Sequence, residues 1–311
     1  MPANQSVFAN NLMYLTDGGL ETTLIFHEQC ELPCFASFIL LETPQGREQL
    51  YKYYREYLEL YQGRECGFVL ETPTWRANRD WARKLGYDEE QTDRFNIEAV
   101  GIFRELAKEY EKPGFPILIS GNIGPRGDGY VSGKIMSVRE AEEYHSDQIK
   151  AFKRAGADLV TAVTINYPQE AIGIINAAVK QDIPVVIAFT VETDGRLPSG
   201  MSLQEAIEET DKVTHGACLH FMVNCAHPSH YLQPVIRGGA WLDRIGGVRS
   251  NASVLSHAEL DEAEVLDEGN PQEFALLHQV FAQRLPNLKV FGGCCGTDCR
   301  HVQALAETFL Y

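Results

Sequence analysis

Eight short apolar runs, each followed by a longer amphipathic stretch, constrain the fold of this 311-residue chain more than any other feature. The runs are MYLT (13–16), FVLE (68–71), PILIS (116–120), LVTAVT (159–164), PVVIAFT (184–190), LHFMVN (219–224), RIGGV (244–248) and LKVFG (288–292). Several are rich in Val and Ile without strict alternation, as strands covered on both faces are. The seventh carries two glycines and is the weakest strand pattern.

Helical patterns fill the intervals. REQLYKYYREYLELY (47–61) sets Leu50, Tyr54, Leu58 and Tyr61 at spacings of four, four and three. SVREAEEYHSDQIKAFKRAGA (137–157) opens on a capping-box pair, Ser137 and Glu140, and closes at Gly156. NPQEFALLHQVFAQRL (270–285) offers Asn270 as N-cap and Pro271 in the first turn. Alternating strand and helix predicts parallel βα units. Eight such units predict one α/β domain over residues 1–311, a single (β/α)8 TIM barrel.

The formal net charge is −16. An acidic surface repels nucleic acid and anionic lipid, so neither is expected as a partner. MPANQSVFANNLMYL (1–15) has no basic region and no continuous apolar stretch, so it does not read as a signal peptide. The longest apolar runs, such as IPVVIAF, are too short to cross a bilayer. A soluble, cytoplasmic protein is expected. Its eight cysteines then read as free thiols or metal ligands rather than bridges. The acidic stretch HAELDEAEVLDEGN (257–270) reads as a solvated helix or loop.

In a barrel of this kind the chemistry sits at the C-terminal ends of the strands. Cys225 follows the sixth run, in FMVNCAHP, and Cys294 and Cys295 follow the eighth, in VFGGCCGT. Bridging Cys294 to Cys295 is disfavoured: adjacent Cα atoms are about 3.8 Å apart, whereas disulfides want roughly 4.4–6.8 Å. A metal relaxes that demand, and Gly292, Gly293 and Gly296 would let the backbone aim both side chains at one point. Three thiolates leave one tetrahedral position open, the pattern of catalytic zinc, and sulfur ligands favour zinc over magnesium or calcium. Cys225 taken alone also fits core packing, as do Cys30, Cys34, Cys66, Cys218 and Cys299. Cys299 would approach the metal if a helix began early. His227 and His301 read as loop or helix-start residues near the same rim.

The chain resembles the zinc-dependent homocysteine S-methyltransferases, of the S-methylmethionine- or betaine-using type. The matching segments are TDGGLETTL (16–24), LETPTWRAN (70–78), GNIGPRGDGY (121–130), AGADLV (155–160), VNC (223–225) and GGCCGT (292–297). The resemblance implies Zn2+ held by Cys225, Cys294 and Cys295, with a small-molecule thiol acceptor, homocysteine, in the fourth position. It implies a sulfonium or quaternary ammonium methyl donor and a place in methionine biosynthesis. It also implies that Asp17 meets the amino group of homocysteine while Gly18 and Gly19 offer backbone N–H groups to its carboxylate. Thr72 and Asn251 fall at rim positions that could contact substrate. Trp75 is the best placed tryptophan to cradle a cationic donor.

Two departures stand out. Family members usually carry a glutamate at the end of the fourth strand that helps hold the homocysteine ammonium, and here Val163 stands in its register. GPRGDGY replaces the family's GPYGA, putting Arg126 and Asp128 near the rim. A divergent zinc methyltransferase with another acceptor therefore stays open, as does a non-catalytic zinc-binding or redox-sensing barrel.

Overall fold

The structure, a computed structural model, describes residues 7, 8, 10–61 and 63–310. Within the segment read for targeting signals, residues 1–6 and 9 lie outside the described residues. The strands are β1 (Tyr14–Leu15), β2 (Gly67–Glu71), β3 (Ile117–Ile123), β4 (Leu159–Ile165), β5 (Val185–Phe189), β6 (Phe221–Asn224), β7 (Ile245–Ser250) and β8 (Val290–Gly293). They pair in parallel in sequence order, and β8 pairs back with β1 to close the barrel. Each of the eight apolar runs holds one strand, which is the (β/α)8 architecture expected.

The glycine-bearing seventh run is a full strand and extends past Val248 to include Arg249. Its glycines answer to packing. A Cβ on Gly247 would come within 2.8 Å of Met222 and 3.0 Å of Val290, side chains that fill the barrel interior from β6 and β8. The helices at Pro44–Leu60, Val138–Ala155 and Pro271–Arg284 follow the expected patterns. Ser137 and Glu140 form the reciprocal capping box, and Gly156 ends that helix at φ +79°. Asn270 accepts from the N–H groups of Gln272 and Glu273. No helix among the described residues is long and apolar enough to cross a membrane.

Tyr14, Val69, Leu159, Val186, Met222 and Val290 form an apolar plug inside the barrel. A separate, larger core lies between strands and helices. The two-residue period of a strand then sets what crowns the plug. Glu71 lies two residues after Val69, and Arg249 two after Gly247. Both therefore point into the barrel at its C-terminal mouth, and both line the cavity there.

Candidate metal centre and substrate cavity

Cys225 directly follows β6, and Cys294 and Cys295 directly follow β8. Their three Sγ atoms all lie within 4.8 Å of one another. The backbone is pinned to β7 between them: Cys225 N donates to the Arg249 carbonyl at 3.0 Å, and Cys294 N to the Ser250 carbonyl at 2.8 Å. Cys225 sits at φ +51°, a left-handed conformation that a non-glycine residue keeps only when its surroundings hold it there. Its carbonyl accepts from His257 Nε2 at 2.5 Å and from Thr190 Oγ1 at 3.4 Å. His257 Nδ1 lies 3.0 Å from Glu192, and its ring packs against Tyr130 with centroids 4.2 Å apart.

Cys225 and Cys294 are joined by a disulfide. This corrects the expectation that the cysteines form no bridges. β6 and β8 flank β7, so their ends bring the two Cα atoms to 5.3 Å, inside the range a bridge needs and outside that of the vicinal pair. Cys295 is a free thiol, 3.8 Å from the Tyr130 hydroxyl, and burial pushes it up to about 11. Once the bridge is reduced, three convergent sulfurs suit one tetrahedral ion. Cys30, Cys34, Cys66, Cys218 and Cys299 are free and lie outside this group. Cys299 opens the last helix, Cys299–Phe309. His227 caps the helix Pro228–Arg237, and His301 bonds Asp298 and the Glu268 carbonyl, the local roles expected of both.

The glycines around the pair are needed mostly for space rather than for turning. Gly296 alone of the three has a positive φ, +77°. A Cβ on Gly292 would strike the Thr16 hydroxyl, and one on Gly293 the Thr297 hydroxyl. The glycines after β1 obey the same logic: a Cβ on Gly18 would lie 2.7 Å from the Thr297 carbonyl, and one on Gly19 2.6 Å from that of Cys294. Gly19 N donates to the Thr297 carbonyl at 2.9 Å. The loops after β1 and β8 thus pack backbone to backbone.

Beside the thiols lies a buried ion cluster. Arg249 ion-pairs with Asp17 at 2.8 Å and with Glu71. It also donates to the carbonyls of Gly293 at 3.0 Å and Gly18 at 3.2 Å. The other Asp17 oxygen accepts from the Tyr53 hydroxyl at 3.1 Å. All three charged side chains are under 10% exposed. Burial raises both carboxyls against the pull of the shared guanidinium, Glu71 to about 7. One guanidinium serves two carboxylates, so the cluster carries a net −1 when both are ionised.

These groups line a cavity of about 550 Å³, within the range of small-molecule sites. Asp17, Gly18, Gly19, Thr72 and Asn251 all border it. The Thr72 hydroxyl is engaged locally, with Thr74 Oγ1 at 2.7 Å and Asn122 N at 3.0 Å. Asn251 Oδ1 is buried with no hydrogen-bond partner among the described residues. Val163 also lines the cavity, where β4 bulges. Leu260, Val265 and Leu266, from the stretch read as a solvated helix or loop, form part of the rim. Glu71, Arg249, Tyr130, His257 and Arg76 are site residues that sequence reasoning missed. The signal for Arg249 was a lone charge continuing a strand pattern.

A closed barrel whose C-terminal mouth joins three convergent thiols to a buried ion cluster has the layout of a barrel enzyme. The chain belongs to the homocysteine S-methyltransferase family, whose model matches residues 14–309, and is a methyltransferase of that family. Homocysteine S-methyltransferase 1 of Arabidopsis thaliana is 24% identical over 315 residues, covering 94% of this chain and 92% of the plant protein. The protein of the same name from Brassica oleracea var. italica is 24% identical over 317 residues, with coverage of 94% and 92%. The homocysteine methyltransferase MmuM from Escherichia coli shares the fold. Its oxidized form superimposes with a TM-score of 0.76 at 19% identity, and its metallated form with 0.74 at 20%, each covering 99% of both chains.

Proposed function

We propose that the protein transfers a methyl group from a sulfonium donor to the thiol of homocysteine, giving methionine, with zinc held by Cys225, Cys294 and Cys295. The observation that carries this reading is the convergence of those three sulfurs within 4.8 Å of one another. The Escherichia coli relative is known in a metallated and an oxidized form, which supports a metal bound by reduced thiols. When bound, zinc supplies the Lewis acidity that holds a thiol as thiolate at neutral pH. Two molecules of an external thiol would reduce the Cys225–Cys294 bridge, leaving as their own disulfide and freeing both sulfurs as ligands. Tyr130 and His257 hold the thiol rim in place.

The acceptor sulfur attacks the methyl carbon in line. Its electron pair forms the new S–C bond, while the donor's S–C pair leaves on the donor sulfur as a neutral thioether. A quaternary ammonium donor would release a neutral amine by the same displacement. The thiol proton has left beforehand, so the displacement needs no general base. Asp17, Gly18, Gly19, Thr72 and Asn251 are the proposed substrate contacts, and residues 1–311 act as one cytoplasmic barrel domain.

The test is to purify the protein reduced and measure zinc and methionine formation together, offering homocysteine with S-methylmethionine, S-adenosylmethionine or betaine in turn. About one zinc per chain, with turnover lost in Cys294→Ala, supports the reading. Zinc-free reduced protein overturns it and leaves redox sensing. A second reading, another thiol acceptor, is favoured by one observation: Asp17 is already held by Arg249 and Tyr53, and Val163 supplies no second carboxylate. Equal KM for homocysteine and 4-mercaptobutyrate, which lacks the amine, would select it.

A further inference from the structure

The cavity contains a second buried arginine, and none of the described residues supplies it with a counter-ion. Arg76 is 5% exposed and lines the same cavity as the thiols. Among the described residues no carboxylate lies within ion-pair distance of it; Asp128 and Glu21 act on it only from farther away. One Nη donates to the Gly127 carbonyl at 3.1 Å, and Nε has no acceptor. The guanidinium lies 3.8 Å from the ring centroids of both Trp75 and Trp81. Burial lowers it to about 10, the direction expected of a guanidinium taken out of water with no carboxylate beside it. Arg249, by contrast, has two carboxylates and two carbonyls. The two arginines sit in one cavity under opposite conditions.

We propose that Arg76 anchors an anionic group, a carboxylate, on the methyl donor. The claim rests on the reading that an onium methyl donor enters this cavity. Three observations carry it. A desolvated guanidinium without a partner gains most from a ligand carboxylate, which matches its planar N–H groups. Trp75 and Trp81 already each give a ring face to Arg76, so these indoles are not a free cradle for a sulfonium, and a like charge beside Arg76 is repelled. Phe26 and Phe35, both exposed, line the same cavity as Trp81 and Arg76, so the cavity that holds this guanidinium has an aromatic wall open to solvent. Tyr130 lies between the two ends: its hydroxyl is 3.8 Å from Cys295 Sγ, and it follows by three residues Gly127, whose carbonyl accepts from Arg76. A small onium molecule that places its carboxylate at Arg76 thereby turns its methyl group toward the thiols. The donor class is a zwitterion or anion carrying a carboxylate, not a simple onium cation.

The test pairs S-methylmethionine with its carboxamide as donors, on wild type, Arg76→Gln and Arg76→Lys. Homocysteine and its carboxamide serve as acceptors. Amidating the donor should cost wild type roughly 10- to 100-fold in kcat/KM. Arg76→Gln should erase that difference by weakening the acid alone, and Arg76→Lys should restore part of it. Binding followed by tryptophan fluorescence, which reads Trp75 and Trp81 beside the site, should show the same preference without turnover. Binding that discriminates acid from amide through Arg76 while no methyl is transferred would defeat the methyl-transfer reading and leave the anion site standing. Methyl transfer that tolerates the donor amide within twofold would overturn the anion site and leave methyl transfer standing. A penalty on amidating homocysteine that Arg76→Gln removes would assign the carboxylate to the acceptor and also overturn it. The wild-type donor comparison alone can overturn the anion site even if Arg76→Gln fails to fold, and Arg76→Lys then assigns any penalty to this position.

Discussion

Replacing Glu71 by Gln should make the protein more stable at alkaline pH and leave it nearly unchanged at acid pH. Glu71 and Asp17 share one guanidinium, and burial raises Glu71 from 4.5 in the unfolded chain to about 7 in the fold. A carboxyl whose folded value is raised binds its proton more tightly in the native state. Stability therefore falls as pH rises from the unfolded value through the folded one. With those two values, linkage gives a loss of roughly 2–3 kcal/mol between pH 5 and pH 8 from this one group. The glutamine side chain would keep an oxygen for Arg249 and has no proton to lose. Urea denaturation of reduced, metal-free protein at both pH values, wild type against variant, cancels the titrating groups outside the cluster and reads Glu71 together with its coupling to Asp17 through Arg249. The variant should gain roughly 2–3 kcal/mol over wild type on going from pH 5 to pH 8. A difference that stays flat, or moves against the variant, would refute the idea that burial outweighs the guanidinium at this carboxyl.

Arg249→Met leaves both carboxylates buried without a counter-ion and should cost about 3–5 kcal/mol in urea unfolding, less when combined with Glu71→Gln. Thiol titration of denatured protein should count six thiols in the oxidised form and eight after reduction, and only the reduced form should take up zinc. Gly19→Ala drives a methyl group into the Cys294 carbonyl, 2.6 Å away, and should cost about 1–3 kcal/mol and weaken zinc retention during dialysis.

The barrel was legible because its signals are local. An apolar run, a capping serine or a helix-ending glycine acts on its own neighbours, and Ser137 with Gly156 brackets one helix within its own segment. The cysteines were legible for a related reason: Cys225 and Cys294 each end a strand, and strand order alone puts both strand ends on one rim. Charge balance has no such local signature. Glu71 reads as the polar end of an apolar run, and Arg249 as a residue just beyond a weak one. They lie 178 residues apart, and only barrel closure makes them partners. The resemblance pairs Asp17 with a substrate ammonium and says nothing of what else that carboxylate holds. Here Arg249 already occupies one of its oxygens and Tyr53 the other. Arg76 shows the same gap from the other side. In TPTWRAN it is one more arginine near a tryptophan, and its meaning depends on which carboxylates fail to reach it. A sequence motif names the groups that can be present at a site. Whether each is free to meet a substrate depends on ion pairs made across the barrel, and those decide which substrates the cavity can hold.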